Sequence, residues 1–326
     1  MKPIRVVAAA AVSAALCAVA PAVLAQAASY PGKPIRMIVP FTPGSATDVM
    51  GRLVAERLNA AWGQPVIVEN KPGAGGTIGI RDTVRAEPDG YTVVVVSSGH
   101  AVNHVLYKDL GYDTLKDLSG VALLGSLPSV LIVPPTLGVN SVQELVAAAK
   151  AKPGEFNYAT AGVGSGAHVS IEKFNVATGI KAVHVPLKGT PPILQETMGG
   201  RIQYAYVPAV SGMGVIKDGK VKALAVSTAR RIEALPNLPT VAEAGFPDAE
   251  NTFWLAMLAP AKTPRDVVAK LNAEVNRALQ SPEMKERLTK LGTETMAMTP
   301  EQVDKFIATE YRELGDVMVK AGLKPQ

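Results

Sequence analysis

The feature that most constrains this chain is a repeated order of segments: an extended apolar stretch, a glycine- or serine-rich turn, then a stretch with helical spacing. Residues 35–40 (IRMIVP) read as a strand, Pro43-Gly44-Ser45 turns the chain, and 46–62 carries the helix. Residues 65–69, the loop Gly73-Ala74-Gly75-Gly76 and the stretch to Arg85 repeat the pattern. Val93-Val94-Val95-Val96, within 91–97, suits a strand buried on both faces, as parallel strands are. The alternation resumes with strands at 156–161, 181–186, 202–207 and 221–227 and helices at 165–178 and 191–198. From Pro264 onward the chain is mostly helical, over 264–280, 282–291 and 300–321. This order predicts an α/β fold with mostly parallel sheets.

Helix starts are marked by Ser45-x-x-Asp48, Ser141-x-x-Glu144, Thr240-x-x-Glu243, Thr263-Pro264-x-Asp266 and Thr299-Pro300-x-Gln302. All five resemble capping boxes, two with proline at the first helical position. Two apolar segments, 130–135 (VLIVPP) and 253–260 (FWLAMLAP), read as crossings between domains. They divide the chain into a discontinuous first domain, 28–127 with 253–326, and an inserted second domain, 128–252. A length of 326 residues agrees with about two domains. Clefts between domains are preferred ligand sites. Trp254 fits either the core or the cleft wall.

The N-terminus has the form of an export signal. Lys2 and Arg5 precede an apolar stretch, and Ala25-Gln26-Ala27 has the small-x-small form of a cleavage site. Residues 1–27 are therefore expected to be removed, giving an exported chain. Cys17, the only cysteine, leaves with them, which excludes a disulfide scaffold and a cysteine zinc site. The formal charge of +5 belongs partly to this leader. Aromatics make up only 5% and no basic run exceeds two residues, so the stacking stripe of a nucleic-acid binder is missing.

Four turns follow strands and open helices: 41–48 (FTPGSATD), 73–77 (GAGGT), 161–168 (AGVGSGAH) and 188–191 (KGTP). A helix N-terminus offers unpaired N–H groups and about half a positive charge, and glycine lets an anion approach the backbone. Such turns suit a carboxylate or phosphate, although each alone also reads as an ordinary capped turn. Gly73-x-Gly75-x-x-x-Gly79 is a weak dinucleotide pattern, because no acid follows the next strand at Ser97-Ser98-Gly99. Asp48 is expected to cap its helix. Ser165 is not a Gly-x-Ser-x-Gly nucleophile, since Val163 and Ala167 hold the glycine positions; it is expected to cap and to donate to a ligand. His168 fits a packed, hydrogen-bonded role, with pocket lining as the alternative. His100 and His104 lack the glutamate of a zinc-protease motif, so no metal and no cofactor is expected.

These pieces, taken in order, resemble the solute receptors of tripartite tricarboxylate transporters, the Bug proteins. The resemblance rests on 30–44 (YPGKPIRMIVPFTPG), 68–76 (VENKPGAGG), 88–92 (PDGYT), Tyr158-Ala159 with 162–168, 184–189 (HVPLKG), 224–227, 235–245 (LPNLPTVAEAG) and 254–264. It implies a two-domain, type 2-like Venus-flytrap periplasmic binding protein with two crossover segments, acting as a monomer that feeds membrane transporter subunits. It also implies a small organic carboxylate or acidic amino acid as ligand, held by neutral donors of facing loops. Carried over, the ligand residues are Phe41, Thr42, Gly44, Ser45, Ala46, Asp48, Ser97, Gly162, Gly164, Ser165, His168, Gly189 and Thr190, with none catalytic. Two positions depart from the family pattern: Gly44-Ser45 replaces a frequent Gly-Gly, and Arg201-Ile202-Gln203-Tyr204 lacks a usual acid. The second function class is an exported α/β enzyme acting on a small carboxylate. The absence of a nucleophile–base pair in the sequence favours the receptor.

Overall fold

The computed structural model describes residues 30–289 and 292–325. The expected leader and the last two residues of the expected 282–291 helix lie outside the described residues. The chain begins with β1 (Ile35–Val39), α1 (Ala46–Trp62), β2 (Val66–Asn70), α2 (Thr77–Val84), β3 (Thr92–Ser97), α3 (Asn103–Leu106) and β4 (Leu118–Leu127). There follow β5 (Ser129–Val133), α4 (Val142–Ala151), β6 (Asn157–Thr160), α5 (Gly166–Thr178), β7 (Val183–Pro186), α6 (Thr190–Met198), β8 (Tyr204–Pro208), α7 (Ala209–Lys217) and β9 (Lys222–Val226). It ends with β10 (Phe253–Pro260), α8 (Arg265–Gln280), α9 (Pro282–Thr289) and α10 (Pro300–Lys320).

The strands form two sheets of five, ordered β2-β1-β3-β10-β4 and β7-β6-β8-β5-β9. We call each sheet with the helices on it a lobe. Both sheets follow one plan. In each, a parallel trio is joined to its outer fourth strand through one antiparallel strand: β10 between β3 and β4, and β5 between β8 and β9. The sheets are therefore mixed rather than mostly parallel. The apolar segments expected to cross between domains are these inserted strands. The chain passes from β4 to β5 at Pro128, and returns before β10 near residues 250–252.

Burial explains the sequence pattern. Val93 and Val95 pack into one core with Met37, Met50 and Leu271, while Val94 and Val96 pack into another with Ile38, Trp254 and Ile307. The valine run is thus covered on both faces, since alternate strand residues point to opposite sides. Sheet two repeats this, with Leu131 and Val133 on one side and Val130 and Ile132 on the other. Trp254 belongs to the core: it is 1% exposed, its Nε1 donates to Glu310 Oε2 (2.7 Å), and Phe306 packs edge-on against it.

The caps differ from expectation in informative ways. Thr299 and Gln302 make the full reciprocal box at α10. Thr240 and Glu243 also exchange both bonds, yet in a turn that opens no helix. Thr263 caps nothing; its hydroxyl donates to Pro260 O and Pro264 takes the N-cap position of α8. Ser45 and Ser141 do accept from the N–H three residues on, but the carboxylates of Asp48 and Glu144 reach one residue farther back, to Gly44 N and Asn140 N.

Candidate functional site

One strand-to-helix turn of each lobe, from β1 to α1 and from β6 to α5, is built in the same way. In the first lobe, Ser45 is the N-cap of α1, its Oγ accepting from Asp48 N (3.3 Å), and Asp48 Oδ2 accepts from Gly44 N (2.9 Å). In the second, Ser165 is the N-cap of α5, its Oγ accepting from His168 N (3.3 Å), and His168 Nδ1 accepts from Gly164 N (3.2 Å). Each turn is Gly-Ser-x-x-acceptor. The glycine takes a φ of +80° at Gly44 and +76° at Gly164, a region that side chains with a Cβ avoid. The serine oxygen accepts from the helix, and among the described residues its O–H donates to no protein acceptor.

Asp48 is held from several directions. Asn70 Nδ2 and Arg52 Nε donate to its Oδ1 at 2.9 and 3.0 Å. Burial opposes its ionisation, but these donors and Gly44 N outweigh it and lower its pKa. His168 is 1% exposed and its ring stacks on His184 at 4.5 Å, which in turn stacks on Tyr158 at 5.0 Å. Nε2 of His168 points towards Glu172 Oε1 at 3.7 Å, and that carboxyl accepts from the Tyr158 hydroxyl. Because Nδ1 accepts from Gly164, the neutral ring carries its proton on Nε2. Burial, followed by the neighbouring His184, depresses the His168 pKa to about 3, and burial depresses His184 to about 4. Asp48 and His168 therefore stand behind the turns, as braces.

The two turns face each other. Phe41, Ser45, Ala46 and Thr47 meet Ala161, Ser165, Gly166 and Ala167 around a narrow space of about 20 Å³, with Ser97, Thr190, Pro208 and Phe253 completing its wall. Phe41 and Ala161 also line a separate interlobe groove of about 310 Å³, together with residues 72–75, Tyr107, Gly162, Val163 and residues 186–188. Of the sequence-predicted residues, Phe41, Ser45, Ala46, Ser97, Ser165 and Thr190 line the narrow space, and Gly162 lines the groove. Gly44, Asp48, Gly164 and His168 shape the turns from behind. Thr42 and Gly189 lie against each other across the cleft, where a Cβ at Gly189 would stand 2.2 Å from Thr42 Oγ1.

Sequence reading missed the contacts that shut the cleft. A Cβ at Gly75 would lie 2.0 Å from Val163 O, and one at Gly99 would lie 2.1 Å from Gly164 O. Backbone meets backbone here, with no room for a side chain. The Tyr107 hydroxyl donates to Val163 O (2.7 Å), and the Asn103 amide is placed to donate to Gly164 O (3.1 Å) and Gly99 O (3.3 Å). Phe253, the neighbour of Trp254, supplies the apolar wall. In the His100/His104 pair, His100 stacks on Tyr112 and His104 on Tyr311. Among the described residues no group of three or more His, Cys, Asp or Glu is placed to hold a metal.

A larger groove of about 770 Å³ lies by the crossings, between Ser126, Pro128, Glu250 and the segment 292–295. Its charges are mixed, with Arg230, Arg231 and Lys285 beside Glu233, Glu250 and Glu294, and Arg231 pairs with Glu243. Among the described residues it has no facing helix ends, and the cleft between α1 and α5 is the candidate site.

A family description of tripartite tricarboxylate transporter receptors matches residues 50–323. The chain belongs to this family. Its relatives include protein BugT of Bordetella pertussis, 38% identical over 92% of each chain. The solved structure of the periplasmic binding protein BugD is 33% identical, covers 91% of this chain and all of its own, and superposes with a TM-score of 0.87. The R. palustris protein Rpa4515, solved with adipate, is 32% identical over 91% of this chain and 100% of its own, with a TM-score of 0.88. Both sheets of this receptor follow the periplasmic binding protein fold, and family membership gives the exported-enzyme alternative no support.

The buried histidines make stability depend on pH. An unfolded histidine takes up a proton near pH 6.5, whereas folded His168 and His184 resist until about 3 and 4. Between those limits the unfolded chain binds more protons, so their contribution is complete above pH 6.5 and is lost as pH falls towards 4. Glu172, whose pKa burial raises, acts in the opposite sense, favouring the folded state less as pH rises. Thermal unfolding from pH 7.5 to pH 4.5 should show a falling midpoint. The fall should be smaller in His168→Asn, whose amide oxygen can still accept from Gly164. An equal fall in both proteins would contradict the assignment.

Proposed function

We propose that this receptor captures a small organic carboxylate between its two lobes and delivers it to membrane transporter subunits after export through a cleaved N-terminal signal. The moving bodies are residues 28–127 with 253–326, and residues 128–252, and the receptor works as a monomer. One observation carries this reading: two helix N-termini, each with a serine hydroxyl that donates to no protein acceptor among the described residues, face each other across a narrow gap. Two such ends, each worth about half a positive charge, repel until an anion sits between them. A carboxylate there accepts from the hydroxyls of Ser45 and Ser165 and from first-turn N–H groups, with no cationic side chain in the wall.

The same geometry speaks for binding without catalysis. The His168 ring nitrogen nearest the turn already accepts from Gly164 N, so it does not serve as base to Ser165. Among the relatives, the protein solved with adipate has a dicarboxylate in this fold.

Hydrogen bonds to a charged group are worth about 1.5–3 kcal/mol each, and about 1.4 kcal/mol is tenfold in affinity. Calorimetry with a bound carboxylate should therefore show Ser45→Ala and Ser165→Ala each weaker by roughly tenfold or more. Asp48→Asn should lower unfolding stability more than affinity. Wild-type affinity in both serine variants would place the anion elsewhere.

Closure is the second expectation. A ligand touching both lobes binds the shut form better and shifts the population towards it. Small-angle scattering should show compaction on saturation. Gly99→Ala, with its new Cβ driven against Gly164 O, should abolish that compaction. An unchanged radius in the natural protein, or full compaction in the variant, would contradict a closing cleft built on this contact.

A further inference from the structure

The two facing turns are held in different ways. Through their N–H groups they make the same bonds: Gly44 N to Asp48 and Ser45 N to Thr42 O (3.1 Å) in the first lobe, Gly164 N to His168 and Ser165 N to Gly162 O (3.1 Å) in the second. Their carbonyl groups are served from different places. In the first lobe Asn70, the last residue of β2, donates from Nδ2 to Phe41 O at 2.9 Å, and the same nitrogen reaches Asp48 Oδ1. That hold lies within one lobe. In the second lobe the carbonyls of Val163 and Gly164 accept from residues of the first: the Tyr107 hydroxyl donates to Val163 O (2.7 Å), and the Asn103 amide is placed to donate to Gly164 O (3.1 Å).

Asn103 and Tyr107 stand at the start of the one-turn helix α3 and just past its end, so they share one face of it. That face is pressed onto Gly164. A Cβ there would stand 2.2 Å from the end of the Asn103 side chain and 3.2 Å from the Tyr107 ring. Asn103 is fully buried, and its amide spans the two lobes, because Gly99 O of the first lobe is also within its reach (3.3 Å). Ser165, the N-cap of α5, directly follows Gly164, so the peptide that joins them carries the carbonyl that Asn103 holds. Parting the lobes breaks the Tyr107 and Asn103 bonds together and leaves the bonds of the first turn intact.

We propose that Asn103 and Tyr107 are positioning residues: from the first lobe they fix the two carbonyls ahead of Ser165, so that the second turn takes its binding form only while the lobes are shut. Ser45 is set by its own lobe in either state, whereas Ser165 is set by closure. The proposal rests on lobes that can part, as in the receptor reading, and is independent of which anion they hold.

The test is amide hydrogen exchange of the mature protein without ligand, followed by mass spectrometry on segments 41–48 and 161–168, because local opening governs the exchange of such segments. Corrected for intrinsic rates, 161–168 should exchange faster than 41–48 in the natural protein. Losing one hydrogen bond shifts an opening equilibrium by about three- to tenfold, so Tyr107→Phe should speed exchange of 161–168 by that factor and leave 41–48 within about twofold. Asn70→Ala should do the reverse, loosening 41–48 and sparing 161–168. If Tyr107 only stabilised the fold of its own lobe, Tyr107→Phe would instead speed exchange in β3 and β4. Equal exchange of the two segments in the natural protein, unchanged exchange of 161–168 in Tyr107→Phe, or acceleration of both segments together in either variant would each overturn the proposal. No ligand enters these measurements, so the carboxylate reading stands or falls separately, on the affinities of the Ser45 and Ser165 variants.

Discussion

Everything in this structure depends on pointing two helix N-termini at one another. The first turn of an α-helix leaves N–H groups without partners, and a dipole end of the same sign on the facing helix adds repulsion. A protein holds such an arrangement only if each end is braced from behind. Here the brace is one local design used twice: Gly44 with Ser45 and Asp48, and Gly164 with Ser165 and His168. In each, the side chain three residues after the serine accepts from the glycine N–H, which fixes the turn and keeps that N–H from the cleft. The two turns follow β1 and β6, strands that hold the same place in sheets of the same order. Topology supplies the facing geometry, and the capped turns supply its chemistry.

The braces differ in one physical respect. Asp48 is a carboxylate held by an arginine, an asparagine and a backbone amide, and stays ionised. His168 does the same work as a neutral ring, deep under the second lobe and stacked on another histidine. A charged brace on both sides would place two anions behind a site that, in the proposed reading, takes a third. With a neutral acceptor in the second lobe, the positive ends of α1 and α5 keep more of their pull on a ligand. Around them, glycines at 75, 99 and 162 remove side chains where the lobes meet, so that backbone meets backbone there, while Gly189 makes room for the Thr42 hydroxyl and Tyr107 reaches Val163 O.

Much of this was legible in the sequence because it is local. Ser45 and Ser165 announce themselves as caps, and the β-strand, turn and helix order follows from spacing and glycine. Pairing between distant segments left no such mark. Residues 130–133 and 253–260 look like any apolar run, and only tertiary structure places them as antiparallel inserts rather than crossings. Trp254 and Phe253 are neighbours on one strand and so face opposite ways; the register that sends Phe253 to the cleft and Trp254 to the core is set by β3 and β4, far off in sequence. Tyr107, Asn103 and Gly99 were missed for a similar reason. Their partners are on the other lobe, more than fifty residues away. Thr263 misled because Thr-Pro before an acid reads as a cap, while its hydroxyl had a carbonyl closer at hand in Pro260.

The central claim is that a carboxylate sits between the ends of α1 and α5. The measurement that addresses it most directly is a crystal structure of the receptor with a dicarboxylate that calorimetry has shown to bind. One carboxylate is expected with its oxygens about 3 Å from the hydroxyls of Ser45 and Ser165 and from first-turn N–H groups of both helices. A ligand seated in the groove by the crossings, against Arg230 or Lys285 with the two serines untouched, would contradict it.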